Sequence, residues 1–209
     1  MQYRTDLAME QIQQQGNIPG VRVRSARMEG FTRTEVEILT DAAARQLQKA
    51  AGKYITFETR PIHCLPQAAR QQLSQSLADT LRGLLPPFGD VLVVGLGNRE
   101  VTADALGPQG VDNLFITRHV VKEFGKAAYN CSRMNMVSSI EPGVMAKTGM
   151  ETAEIVKGVV AQTEPDVLIV IDALAGSELS GLCRSVQICD TGIAPGSGVG
   201  NDREALKTI

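Results

Sequence analysis

An α/β fold, with a mostly parallel central sheet and helices on both faces, follows from three features of the sequence. Val91 to Val94 and Val167 to Ile171 are short, uninterrupted apolar runs rich in β-branched residues. Such runs read as strands buried on both faces. Residues 67–85 carry apolar side chains at spacings of three and four, the stripe of a helix facing a core. Strand-like and helix-like segments then alternate through the second half, which implies right-handed crossovers between parallel strands. At 209 residues, one α/β domain over 1–209 is expected.

Taken in order, residues 1–35 are polar and mixed. Arg22, Arg24, Arg27 and Arg33 alternate there with Val21 and Val23, as in a solvated strand or loop. Val36 to Leu39 predicts a short strand. Asp41 is the expected cap of a helix through Ala50, with Gly52 just past its end. Tyr54 to Thr59 alternates enough for an edge strand or hairpin arm. Leu73, Leu77, Leu81 and Leu84 face inward on the 67–85 helix, which Pro86 and Pro87 terminate. After the strand at Val91, a helix is expected within 104–124, from Val111 to Phe124 at the least. Met136 to Ile140 is a strand. Thr148 and Glu151 have capping-box spacing ahead of a helix that turns Ile155, Val156, Val159 and Val160 inward and stops near Thr163. Ser185 to Ile188 is the last strand. A Gly-rich segment over 192–200 and a helical start at Asp202 follow. The chain ends at Ile209, within that expected helix, so further C-terminal sequence is expected.

Composition narrows the function classes. A net charge of −2 gives no global attraction to nucleic acid or an anionic membrane. No apolar run approaches the ~20 residues of a membrane span, and the N-terminus lacks the apolar core of a secretory signal. A cytoplasmic protein is expected. Cys64, Cys131, Cys183 and Cys189 form no C-x-x-C pair and read as reduced thiols. His63 and His119 are far apart and read as structural or surface residues. No cofactor and no metal ligands are expected.

Three chemistries fail on their motifs. Gly95-x-Gly97 follows a strand, but Glu100 stands where a dinucleotide fingerprint needs its third glycine. The run Gly196 to Gly200 lacks the Lys-Ser/Thr ending of a P-loop. Ser197 is not in G-x-S-x-G, and no histidine follows it. What remains is a pair of acids: Asp104 just past one core strand and Asp172 at the end of the most apolar one. If the strands are neighbours, both carboxylates converge on the crevice outside the strands' carboxyl ends. Such a pair shares a proton, so one member can deprotonate a water while the other polarises a carbonyl. An Asp after a strand serves equally well as a helix cap or loop anchor, and the sequence leaves both roles open.

The strings RTDLAME, VLVVGLGNREVTADALGP, FITRH, EPGVMAKTGMET, PDVLIVIDALA and QICDTGIAPGSGVGN run from Tyr3 to Asn201. They resemble the germination proteases of endospore-forming bacteria. That resemblance implies a fold like that of hydrogenase-maturation proteases, in the phosphorylase/hydrolase-like group. It implies an endopeptidase that degrades small acid-soluble spore proteins in the spore core, as a homo-oligomer (a tetramer), without direct binding to nucleic acid or membrane. Its proposed catalytic aspartates fall on Asp104 and Asp172. Members are made as zymogens that cut themselves near the start, at a sequence like the substrate's Thr-Glu before the cut and Phe-Ala-Ser-Glu after it. Thr5 to Glu10 has that order, so cleavage between Asp6 and Leu7 is expected, with residues 1–6 as propeptide. Thr5 or Asp6 capping a helix is the structural alternative. Asn98 and Thr102 are candidates to position the acids, and Arg99, Arg118 or Arg133 to hold an acidic side chain before the cut. Two rival readings stand beside this one. One is a metal-assisted peptidase of the hydrogenase-maturation kind; the other is a binding protein that keeps the fold without activity.

Overall fold

A computed structural model of the protein describes residues 5–16, 18–87, 89–125, 134–176 and 181–193. Its strands form two sheets. Strands β1 (Val21–Arg27), β2 (Phe31–Ile38), β3 (Gly52–Thr59) and β7 (Ser185–Cys189) make one, in the order β1-β2-β3-β7. Every pairing in it is antiparallel. Strands β4 (Val91–Gly95), β5 (Val137–Ile140) and β6 (Val167–Ile171) make the other, in the order β5-β4-β6, all parallel.

The α/β class holds, but the parallel arrangement is confined to three strands. The N-terminal strands depart from it for a local reason. Only residues 28–30 separate β1 from β2, with Gly30 at φ 87° and the Met28 N–H bonded to the Phe31 carbonyl. So short a loop can only join antiparallel strands. Strand β3 then takes β7, 131 residues away at the Thr56–Gln187 pair, as its other neighbour.

Both faces of β3 are covered, which accounts for four consecutive buried residues, Tyr54 to Phe57. On one face Tyr54 joins Val36 and Ile38 against α1 (Ala8–Gln15) and α2 (Asp41–Leu47), through Ala8, Ala43 and Leu47. On the other, Ile55 and Phe57 meet Phe31, Leu65 and Leu73, the last from α3 (Gln67–Leu84). The Phe31 and Phe57 rings pack tilted, 5.9 Å between centroids, a favoured aromatic geometry. Strand β1 lies at the sheet's outer edge and is largely exposed, so its arginines face solvent.

In the parallel sheet, Leu92 and Val94 pack with Ala153 and Val156 of α7 (Thr152–Thr163). Helix α4 (Leu106–Asp112) packs against β4 at Gly95. Helices α5 (Arg118–Phe124) and α6 (Met145–Thr148) complete this half.

Several boundaries differ from the sequence reading. The helix expected within 104–124 is a 3-10 turn at Thr102–Asp104 followed by α4 and α5. Thr117 lies between the two helices; its hydroxyl donates to the Asn135 carbonyl and accepts from the Val137 N–H, anchoring the chain to the start of β5. The capping box is Glu151 with Glu154, whereas the Thr148 hydroxyl accepts from the Met150 N–H. Thr40, not Asp41, caps α2, accepting from the Ala43 N–H at 3.2 Å. Helix α2 stops at Leu47 because Gln48 turns left-handed, φ 52°. Among the described residues no helix is long and apolar enough to cross a membrane. Most of the Gly-rich segment and the helical start at Asp202 lie outside the described residues.

Candidate functional site

The register of the parallel sheet decides where the two acids fall. Strands β4 and β6 run in step, Val91 beside Val167 and Gly95 beside Ile171, so they end at one level. One further bond, from the Leu96 N–H to the Ile171 carbonyl at 2.8 Å, extends the pairing. Asp172 is the first residue after β6. It is half-buried, and its Oδ1 accepts from the Ala173 N–H at 2.8 Å.

Asp104 returns to the same level through a tight reversal. Beyond Leu96 the chain turns at Gly97, whose φ of 114° suits only glycine. A Cβ there would collide with the Asp104 carbonyl oxygen. The Asn98 N–H donates both to that carbonyl, at 3.0 Å, and to Asp104 Oδ2, at 2.8 Å. Helix α4 then begins with Gly107 lying against the backbone of Leu96 and Ile171, where a Cβ would strike both. The two acids therefore flank one lip of the parallel sheet. Both carboxylates also anchor local backbone, so their anchoring role is present in the geometry.

The other candidates fall out differently. Asn98 meets Asp104 through its backbone; its side-chain oxygen accepts from the Glu100 N–H at 3.1 Å and shapes the turn. Thr102 is exposed at the start of the 3-10 turn. Arg99 is committed to Asp112 and Glu141, an ion network tying the turn to α4 and to the residue after β5. Its guanidinium holds the Asp112 carboxyl below the usual carboxylate range. Arg118 lies at the opposite end of the sheet, beside the Thr163 carbonyl and next to Thr117, which bonds the first residue of β5. Arg118 is therefore not placed to hold an acidic side chain at the lip, and the Arg99 guanidinium is already paired with two carboxylates there. Arg133 and Cys131 lie outside the described residues. His63 and His119 are exposed. Among the described residues no three His, Cys, Asp or Glu side chains gather as metal ligands would.

The N-terminal segment runs to the same region. The Asp6 N–H donates to the Ala175 carbonyl at 2.9 Å, and the Ala175 N–H donates to Asp6 Oδ2 at 3.0 Å. Ala175 is three residues past Asp172, a span of at most about 11 Å. The carbonyl oxygen of Asp6 accepts from Lys49 Nζ at 2.8 Å and from Gln187 Nε2 at 3.1 Å. Gln187 Oε1 in turn accepts from the Ala8 N–H at 3.1 Å. Thr5, Leu7 and Ala8 are 6%, 3% and 0% exposed. Leu7, without a side-chain cap, precedes α1, and the Thr5 hydroxyl accepts from the Leu7 N–H at 3.1 Å. Neither Thr5 nor Asp6 is the helix cap.

Lys49 sits just beyond α2 with its ammonium 5.4 Å from the centre of the Tyr54 ring. Burial pushes that ammonium below the ordinary lysine range, opposed by the charges of Asp6 and Cys189. Lys49 and Gln187 carry no motif in the sequence. They lie 43 and 181 residues from Asp6, so only folding brings them to it.

The family model described as germination protease matches residues 2–208. The germination protease of Caldanaerobacter subterraneus subsp. tengcongensis is 43% identical over 97% of this chain and 63% of its own length. That of Clostridium tetani is 41% identical over 99% of this chain and 65% of its own. That of Bacillus cytotoxicus is 40% identical over 97% and 58%. The chain thus spans roughly three-fifths of the length of these relatives.

Proposed function

Because the chain belongs to the germination protease family, we propose that it is an endopeptidase acting in spore germination through Asp104, Asp172 and a bound water. One carboxylate takes a proton from the water as its oxygen attacks a peptide carbonyl; the other, protonated, steadies the developing charge. No covalent intermediate is needed. The substrates are small acid-soluble spore proteins, cut after an acidic residue in a Thr-Glu-Phe-Ala-Ser-Glu context. The place of action is the spore core, and the working form is a homo-oligomer.

The protein is also its own first substrate. Cleavage between Asp6 and Leu7 releases residues 1–6, and until then a substrate-like segment occupies the site and keeps the zymogen silent. The observation that supports this most is the double hydrogen bond between Asp6 and Ala175, which ties the expected cleavage site to the chain just beyond Asp172. Register supports it too: β4 and β6 end at one level, Gly95 beside Ile171, with Asp172 following at once and Asp104 Oδ2 accepting from the Asn98 N–H in the reversal after β4.

A peptide containing Thr-Glu-Phe-Ala-Ser-Glu-Phe tests the activity. The processed chain is expected to give one cut, between Glu and Phe, resolved by mass spectrometry. Cuts scattered through the peptide, or none by protein that has already lost residues 1–6, would contradict the proposal.

A further inference from the structure

We infer that Lys49 and Gln187 form the carbonyl-binding pair of this peptidase: their Nζ and Nε2 receive the oxygen of the bond to be cut. The inference rests on the proposed cleavage between Asp6 and Leu7. It adds two catalytic residues that neither the family's aspartates nor any local motif indicates.

The geometry carries it. Peptide hydrolysis places negative charge on the scissile carbonyl oxygen, and donors already aimed at that oxygen accelerate the step most. The Asp6 carbonyl has two such donors, at 2.8 and 3.1 Å, one of them cationic. Gln187 comes from a paired strand, and Lys49 from the turn that ends α2. Gln187 is on β7, paired with β3 at Thr56, and its Oε1 also contacts the Thr56 hydroxyl. Lys49 is fixed between the Tyr54 ring and the Asp6 carbonyl.

The same glutamine reaches both sides of the bond. Its amide nitrogen donates to the Asp6 carbonyl while its amide oxygen accepts from the Ala8 N–H. The register of the peptide across the site is thereby set by one side chain. Plain burial of a carbonyl needs one donor; two converging on the bond next to a substrate-like sequence exceed that need.

The chemistry balances with water as the only co-reactant. A carboxylate takes one proton from the water. The oxygen attacks the Asp6 carbonyl carbon, and the C=O π pair moves to the oxygen held by Lys49 and Gln187. Collapse breaks the C–N bond, the proton passes to the Leu7 nitrogen, and a carboxyl terminus at Asp6 and an amine at Leu7 remain. When residues 1–6 leave, the same two donors take the carbonyl of an incoming substrate.

The test is self-cleavage of the full chain, followed by intact mass, in wild type, Asp172→Asn, Lys49→Met and Gln187→Met. Near-ultraviolet circular dichroism checks that each is folded. Loss of one donor of this kind slows reaction by about 10²–10³-fold, so each of the two Met variants should process at least ~100-fold more slowly than wild type. Should Lys49→Met fail to fold, Lys49→Gln keeps a neutral donor and should slow processing by about tenfold or more, less than loss of the donor. On the peptide substrate, processed Gln187→Met should lose kcat with KM within a few-fold of wild type. Wild-type processing with Asp172→Asn silent, and both Met variants within a few-fold of wild type, would overturn this inference and leave the proposed function intact. A folded wild-type chain that stays uncut, or normal processing in Asp172→Asn, would overturn that function and this inference with it.

Discussion

Replacing Gly107 by Ala tests the contact that seats α4, and with it Asp104, on the ends of β4 and β6. The new Cβ would meet the Leu96 nitrogen and oxygen and the Ile171 carbonyl oxygen. All are backbone atoms, of Leu96 just past β4 and of Ile171 at the end of β6, so no side chain can swing aside. Overpacking of a core costs about 1–3 kcal/mol, and a backbone obstacle puts this site at the upper end. Ala gains up to about 1 kcal/mol over Gly in a helix, leaving a net loss of about 2 kcal/mol. For a domain of this size that lowers Tm by about 4–8 °C. Gly110→Ala is the control in the same helix. Its Cβ would meet only the end of the Ile171 side chain, at 3.3 Å, so stability should move by less than about 1 kcal/mol. Thermal unfolding by circular dichroism, with urea midpoints as a check, gives both values. A Gly107→Ala protein as stable as wild type, or as stable as Gly110→Ala, would refute the packing argument.

Gly158 is exposed within α7 with nothing near its missing Cβ, so Gly158→Ala should stabilise by about 0.5–1 kcal/mol in urea unfolding. Thr40→Ala removes the α2 cap and should cost about 1 kcal/mol by the same measurement. Arg99→Met should return the Asp112 carboxyl toward its ordinary range, read by NMR titration of its side-chain carbon. The sign follows: the depressed folded-state pKa stabilises above the unfolded carboxylate value and is lost as pH falls through the folded one. The stability gap between wild type and Arg99→Met should therefore narrow on going from pH 7 to acid below the carboxylate range.

The parts of the fold that were legible in sequence are those whose signal is local. Strand β6 declares itself in five apolar residues, and α3 in its leucine spacing. Asp172 stands out because it directly follows such a strand, and Asp104 because it lies in the polar stretch shortly after another. What the sequence hid depends on pairing between distant segments. Strand β7 looks like one more member of a parallel series, yet it pairs antiparallel with β3, because β3 offers the free edge of a sheet whose geometry the β1–β2 hairpin has set. Thr148 and Glu151 have the spacing of a capping box, but Glu151 and Glu154 have it too, and the backbone chose the second pair. Arg99 suggested substrate binding by its position alone; Asp112 and Glu141, 13 and 42 residues away, claim it instead. Lys49 and Gln187 are the clearest case, since neither residue gains meaning until Asp6 lies between them.

On the proposed mechanism, loss of residues 1–6 reports on the aspartate pair through the mass of the chain. Wild-type protein incubated after purification should lose the mass of those six residues and begin at Leu7, whereas Asp104→Asn and Asp172→Asn should each keep the full mass over the same period. Shortening of either variant at the wild-type rate would remove that carboxylate from the chemistry and contradict the account at its centre.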